Sequence, residues 1–156
     1  RGRRRVPLQR RLRVTEQLRA DGQAAGAGLR SPRLEAALDR ARRLFATSLV
    51  CARATAEAVG ATGADEVCFV ITGEWVDRDG DEDIACADYI EALLRGERPA
   101  PDAFAQRVRD SDFGQRFSAG TWPNLPPADL ELAARADLFG FAMPIRCEDD
   151  RLVIRA

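Results

Sequence analysis

An apolar run, an acidic loop and an amphipathic segment, spanning residues 66–96, constrain this chain more than any other part of it. Residues 66–72 (EVCFVIT) are apolar on both faces, the pattern of a strand inside a parallel sheet covered by helices. The loop that follows is rich in aspartate. From Glu82 to Arg95 apolar residues recur at helical spacing, and Gly96 ends the run. Strand, loop and helix in that order are the unit from which α/β domains are assembled.

The rest of the chain fits the same class. Residues 45–51 (FATSLVC) read as a short buried strand, and residues 52–59 as a helix stopped by Gly60. A turn at 96–101 leads into a helix over 102–109, a shorter helical segment over 111–118 and a loop over 119–127. Residues 129–138 are predicted helical, with aspartate at the positive end of the dipole. Residues 141–146 and 152–155 flank a turn at 147–150 and predict a closing β-hairpin. Upstream, Ser31 and Pro32 predict the start of a further helix with Leu34, Leu38, Ala41 and Phe45 on one face. The predicted architecture is an α/β domain over residues 44–156. Its sheet is partly parallel, with helices on both faces, and incomplete. Residues 1–43 form an arginine-rich segment, weakly structured over its first thirty residues.

A length of 156 residues with 46% apolar content suits one domain with a real core. No run of eighteen apolar residues predicts a membrane span, and no apolar segment follows the basic first residues, so the reading is a cytoplasmic protein. The net charge of −1 conceals a division: thirteen arginines and four acids lie in residues 1–43, eleven arginines and twenty-one acids in the remainder. A basic arm on an acidic body makes nucleic-acid binding the alternative function, although no aromatic residues interleave the arginines. Histidine is absent, and Cys51, Cys68, Cys86 and Cys147 show no paired spacing. Zinc ligation and the usual Ser-His and Cys-His nucleophiles are therefore disfavoured, and buried free thiols are expected.

Two groups of residues could carry chemistry. Glu82 heads an apolar row through Cys86 and Leu93, and Asp83 heads another through Ala87, Ile90 and Leu94, so both acids begin rows that face the core. They also lie beyond the carboxyl end of the 66–72 strand, where open α/β sheets bind ligands. An inward carboxylate pair there suits a divalent cation. The ordinary preference of acids for a helix N-terminus gives the same placement. Asp77, Asp79 and Asp81 resemble the start of a calcium loop, but Glu82 replaces its glycine and Asp88 its bidentate glutamate, which leaves a solvated turn. The second group is Thr47, Ser48 and Arg53 at the start of the 52–59 helix, where free backbone N–H groups and a guanidinium could hold a phosphate or sulfonate.

Four segments in order, SLVCARATAEAV, CFVITGEW, DGDEDIACADYIEALLRG and DLELAARADLFGFAMPI, resemble the C-terminal half of the 2-phosphosulfolactate phosphatase family. The resemblance covers residues 45 to 156. It implies magnesium-dependent removal of phosphate from a small anionic ester, as in coenzyme M biosynthesis. It also implies Glu82 and Asp83 as catalytic metal ligands for Mg2+, and Gly73, Ser48 and Arg53 as substrate contacts. Cys51 stands where the family commonly has asparagine, a departure at that contact. Residues 1–43 match none of the family's N-terminal half, so the chain reads as a truncated copy, inactive or weak alone. A non-catalytic interaction protein is a further alternative. An incomplete sheet would leave an edge through which copies could pair as a homo-oligomer.

Overall fold

The acidic-headed helix forms as the spacing predicts, and the other elements pack around it. The computed structural model describes residues 11–14, 41–71, 80–120, 126–149 and 151–154. In chain order these form β1 (Arg11–Val14), β2 (Leu44–Ala46), one 3-10 turn (Leu49–Cys51), α1 (Ala52–Ala61) and β3 (Glu66–Phe69). Next come α2 (Asp81–Leu94), α3 (Pro101–Asp110), α4 (Asp112–Ser118), α5 (Pro127–Ala133), β4 (Met143–Glu148) and β5 (Arg151–Ile154). Among the described residues the arrangement is mixed α/β, with five helices and a three-stranded antiparallel sheet.

Asp81, Glu82 and Asp83 occupy the first turn of α2, where the helix dipole favours negative charge. Gly80 precedes them with a left-handed backbone (φ 62°), and its carbonyl accepts from the N–H groups of Asp83 and Ile84. The buried face of α2 is Ala85, Cys86, Ala87, Tyr89 and Ile90. Against it lie Ala52 and Ala56 of α1, Ala105 and Val108 of α3, and Leu130 of α5. Alanine at so many contact positions lets the helix backbones approach closely, while Tyr89 and Ile90 fill the space between them. The Tyr89 ring lies 5.0 Å from that of Phe104. Arg107 of α3 clamps the outer side of α2, bonding Asp81 (2.5 Å) and Asp88 (2.7 Å). The outer face of α2 is thus partly covered: Asp88 pairs with Arg107, and Glu91, only 14% exposed, pairs with Arg95.

The closing hairpin is present. β4 and β5 run antiparallel with Ile145 opposite Ile154 and Cys147 opposite Leu152. β2 joins them antiparallel, Leu44 facing Ile145 and Ala46 facing Met143. The predicted strand over 45–51 is therefore corrected. It stops at Ala46, and residues 49–51 wind into the 3-10 turn, with the Cys51 N–H bonded to the Ser48 carbonyl. Of the partly parallel sheet expected with helices on both faces, the described residues show one parallel pair. Among the described residues β3 has a single strand neighbour, β1, paired in parallel from Arg11–Glu66 to Val14–Phe69. Glu66 and Cys68 are exposed while Val67 and Phe69 are half-buried, so β3 has one covered face rather than two.

The helix predicted over 129–138 ends at Ala133, five residues early, for a reason that lies in the site. The weakly structured reading of residues 1–30 (β1 apart) and the helix predicted from Ser31 through residue 40 fall outside the described residues. Among the described residues no helix is long and apolar enough to cross a membrane.

Candidate functional site

Three segments meet at the start of α1: the 3-10 turn that leads into it, the inner face of α2, and the residues after α5. Asp137 is the joint. Its backbone is left-handed (φ 58°), uncommon for a residue with a side chain. Its N–H bonds the Leu49 carbonyl at 3.1 Å, and the Phe139 N–H bonds that of Val50 at 2.8 Å. So placed, the Asp137 carboxylate covers the first turn of α1. Oδ1 accepts from the Arg53 backbone N–H at 2.9 Å. Oδ2 accepts from the Arg53 Nε at 2.9 Å and from the Tyr89 hydroxyl at 2.6 Å. Arg53 Nη2 donates in turn to the Tyr89 oxygen at 2.8 Å, closing a ring of three side chains.

This arrangement fills part of the anion site expected at the start of α1. The backbone N–H and guanidinium edge predicted to meet a phosphate already hold a carboxylate of the chain itself. The same dipole and donors that favour a substrate anion favour Asp137, which is covalently present. Arg53 remains 48% exposed, and among the described residues its Nη1 has no hydrogen-bond partner, so a guanidinium edge still faces outward. Burial alone would lower the Arg53 guanidinium, but the Asp137 charge and the bonds to Asp137 and Tyr89 outweigh it and hold it above its ordinary value.

Beside this ring lies a pair of thiols. Cys51 is buried at the end of the 3-10 turn, and its Sγ lies 3.9 Å from the hydroxyls of Thr47, Ser48 and Thr55. Cys86 faces it from α2 and bonds Thr47. Both are free thiols, as predicted, whereas Cys68 is exposed. Burial pushes the Cys86 thiol up to about 12, and the charges of Asp83, Cys51 and Asp137 add to the effect. The charges of Asp83 and Asp137 therefore both act on the same thiol. Tyr89 is likewise pushed up to about 12, by burial first and then by its bond and proximity to Asp137.

Of the residues predicted from sequence, Asp83 and Arg53 are brought to one neighbourhood. Ser48 is exposed, at the edge of that neighbourhood through its contact with Cys51. Glu82 sits at the same helix head with its Oε2 atom buried. Gly73 lies outside the described residues. Asp137 and Tyr89 were not foreseen as site residues. One signal was available: Tyr89 is the only tyrosine, at an inward helix position, and a buried phenol needs a partner. Nothing in the sequence paired Arg53 with Asp137, 84 residues away.

The raised thiol and phenol have a measurable consequence. The unfolded chain releases these protons near their ordinary values of 9 and 10, whereas the folded chain holds them to about 12. Above pH 9 the unfolded state therefore binds fewer protons and is favoured. Stability should be insensitive to these groups below pH 9 and fall as pH rises toward 12, with a limiting slope of about 1.4 kcal/mol per pH unit for each group. Urea unfolding between pH 8 and 11 measures this. The double variant Cys86→Ala, Tyr89→Phe should flatten the profile, and an unchanged profile would contradict the assignment.

No family model, curated protein or solved structure matches the chain.

Proposed function

We propose that the chain is a relative of the magnesium-dependent 2-phosphosulfolactate phosphatases and binds a small phosphate monoester at the head of α2. The observation that carries this reading is that the charges of Asp83 and of Asp137, the partner of Arg53, both act on the buried Cys86 thiol. A phosphoester site needs both signs of charge: acids for the cation and a cationic donor for the ester's oxygens.

The donor chemistry suits magnesium, which takes oxygen ligands and is commonly held by one or two carboxylates with water and phosphate oxygens around the rest. Among the described residues no three His, Cys, Asp or Glu side chains gather into a fuller metal site. Glu82 and Asp83 would therefore hold the ion as a pair. When bound, magnesium supplies charge stabilisation at the phosphoryl oxygens and lowers the pKa of a coordinated water. Arg53 offers its outward edge to an ester oxygen, and Ser48 a hydroxyl beside it. Asp81 and Asp88 are engaged by Arg107 and take no part in this scheme.

Metal binding tests the reading without turnover. Mn2+ added in trace to the labelled protein should broaden amide signals around Asp81–Asp83 first. Asp83→Asn should weaken that effect at least about tenfold, and Asp88→Asn should leave it within about twofold. Broadening centred elsewhere, or equal in both variants, would overturn the proposal. Any magnesium-dependent hydrolysis of 2-phosphosulfolactate should show the same difference between the two variants.

A further inference from the structure

We infer that Tyr89 is a positioning residue for Arg53, acting with Asp137 to fix the direction in which the guanidinium presents its free edge. The inference rests on the reading that this site takes a phosphoester oxyanion. It adds two residues to which no part had been given.

The geometry is specific. Tyr89 has no exposed surface, and its ring is fixed by the packing of α2 against Phe104. Its hydroxyl stands between the two other partners, giving its proton to Asp137 Oδ2 at 2.6 Å and accepting from Arg53 Nη2 at 2.8 Å. Arg53 Nε is meanwhile tied to the same Oδ2 at 2.9 Å. Two contacts at different nitrogens of a planar group fix its plane and its rotation within that plane. An arginine side chain otherwise has several free torsions, and ordering it on binding an anion costs affinity. Here much of that ordering is done before the anion arrives. Asp137 also offsets the guanidinium charge, so what the pair contributes to anion binding is direction rather than field.

Asp83, Cys86 and Tyr89 follow one another along α2, each about one turn on and about 60° round the helix from the last. Cys86 and Tyr89 lie on its buried face. Six helical residues separate Asp83 from Tyr89, a rise of about 9 Å. The acid lies at the helix head and the tyrosine deeper, with the guanidinium held against the tyrosine.

The test uses the full chain and inorganic phosphate, titrated by calorimetry with and without Mg2+, at a temperature where every variant is folded. Arg53→Lys, which keeps charge but loses the planar fork, should raise the phosphate Kd about tenfold. Tyr89→Phe, which keeps the ring and removes only the hydroxyl, should raise it about three- to tenfold. The double variant should bind no more weakly than Arg53→Lys alone, because Tyr89 acts only through Arg53. A merely structural tyrosine would not produce that non-additivity. The Arg53 Nε–H signal in a 15N spectrum gives a second readout. It should be sharp and slow to exchange in the parent, and broadened in Tyr89→Phe. Asp137→Asn provides the same spectral comparison should the tyrosine variant fail to fold.

Unchanged affinity in Tyr89→Phe, effects that multiply in the double variant, or an unaltered Nε–H signal would overturn the inference. If phosphate binds and is weakened by Asp83→Asn but not by Tyr89→Phe, the inference alone falls. If the folded parent takes up no phosphate with or without magnesium, the phosphoester reading falls and the inference with it.

Discussion

Replacing Gly114 with alanine is expected to destabilise the protein by about 3 kcal/mol, among the largest losses from adding one methyl group. The reason is the junction between α3 and α4, where one serine serves two helices. Ser111 is buried; its Oγ donates to the Val108 carbonyl at 2.9 Å and accepts from the Gly114 N–H at 3.0 Å. The second bond caps α4, and together they pull Gly114 against the last turn of α3. A Cβ on Gly114 would lie 2.2 Å from the Val108 carbonyl oxygen and 2.4 Å from that of Arg109. Both obstacles are backbone, so no side chain can swing aside, and the two helices must part. Urea unfolding of Gly114→Ala against Gly60→Ala checks the claim. Gly60 has nothing within 4 Å of such a Cβ and lies inside α1, so alanine there should stabilise by about 0.5 to 1 kcal/mol. Equal effects at the two glycines would rule out the steric account.

Asp137→Ala should cost a similar amount, about 3 kcal/mol, by a different route. Three donors lose their acceptor at once: the Arg53 backbone N–H, its Nε and the Tyr89 hydroxyl. The exposed part of the Arg53 pairing contributes little, since solvent screens it. Most of the loss comes from the first turn of α1 left uncapped and a buried phenol proton left without its acceptor. Alanine must also hold the left-handed backbone that Asp137 adopts, at about 1 kcal/mol. Asn keeps an acceptor and tolerates that conformation, so it should lose only about 1 kcal/mol. Gly removes the carboxylate while relieving the backbone, and should fall between Asn and Ala. Denaturant midpoints for the three variants test this order, and an alanine variant as stable as the parent would show that the ring of contacts has no role in stability.

These two positions also show what could be read from the chain and what could not. The helix α2 was legible because everything that specifies it is local: acids at its head, apolar residues at helical intervals, and glycine at its end. The hairpin of β4 and β5 was legible for the same reason. The early end of α5 was not. Residues 134–138 have helical propensity, but the N–H groups of Asp137 and Phe139 are claimed by Leu49 and Val50, and a helix cannot continue through a left-handed Asp137. Thr47 and Ser48 similarly divert the predicted strand, their hydroxyls lying near the Cys51 sulfur while the backbone winds into a 3-10 turn. At the site, Arg53 and Asp83 could be singled out by residue type and place. Asp137, the partner of Arg53, could not, since that pairing depends on tertiary geometry that one sequence does not encode locally.

The clasp at Asp137 bears on the order in which the molecule can be completed as it is synthesised. Leu49, Val50, Arg53 and Tyr89 leave the ribosome long before the residue that joins them. A nascent chain that has reached only α4 carries α1 without its cap and a phenol without its acceptor. Its helices can pair, but this corner stays open to water until residues 137 to 139 emerge and close it.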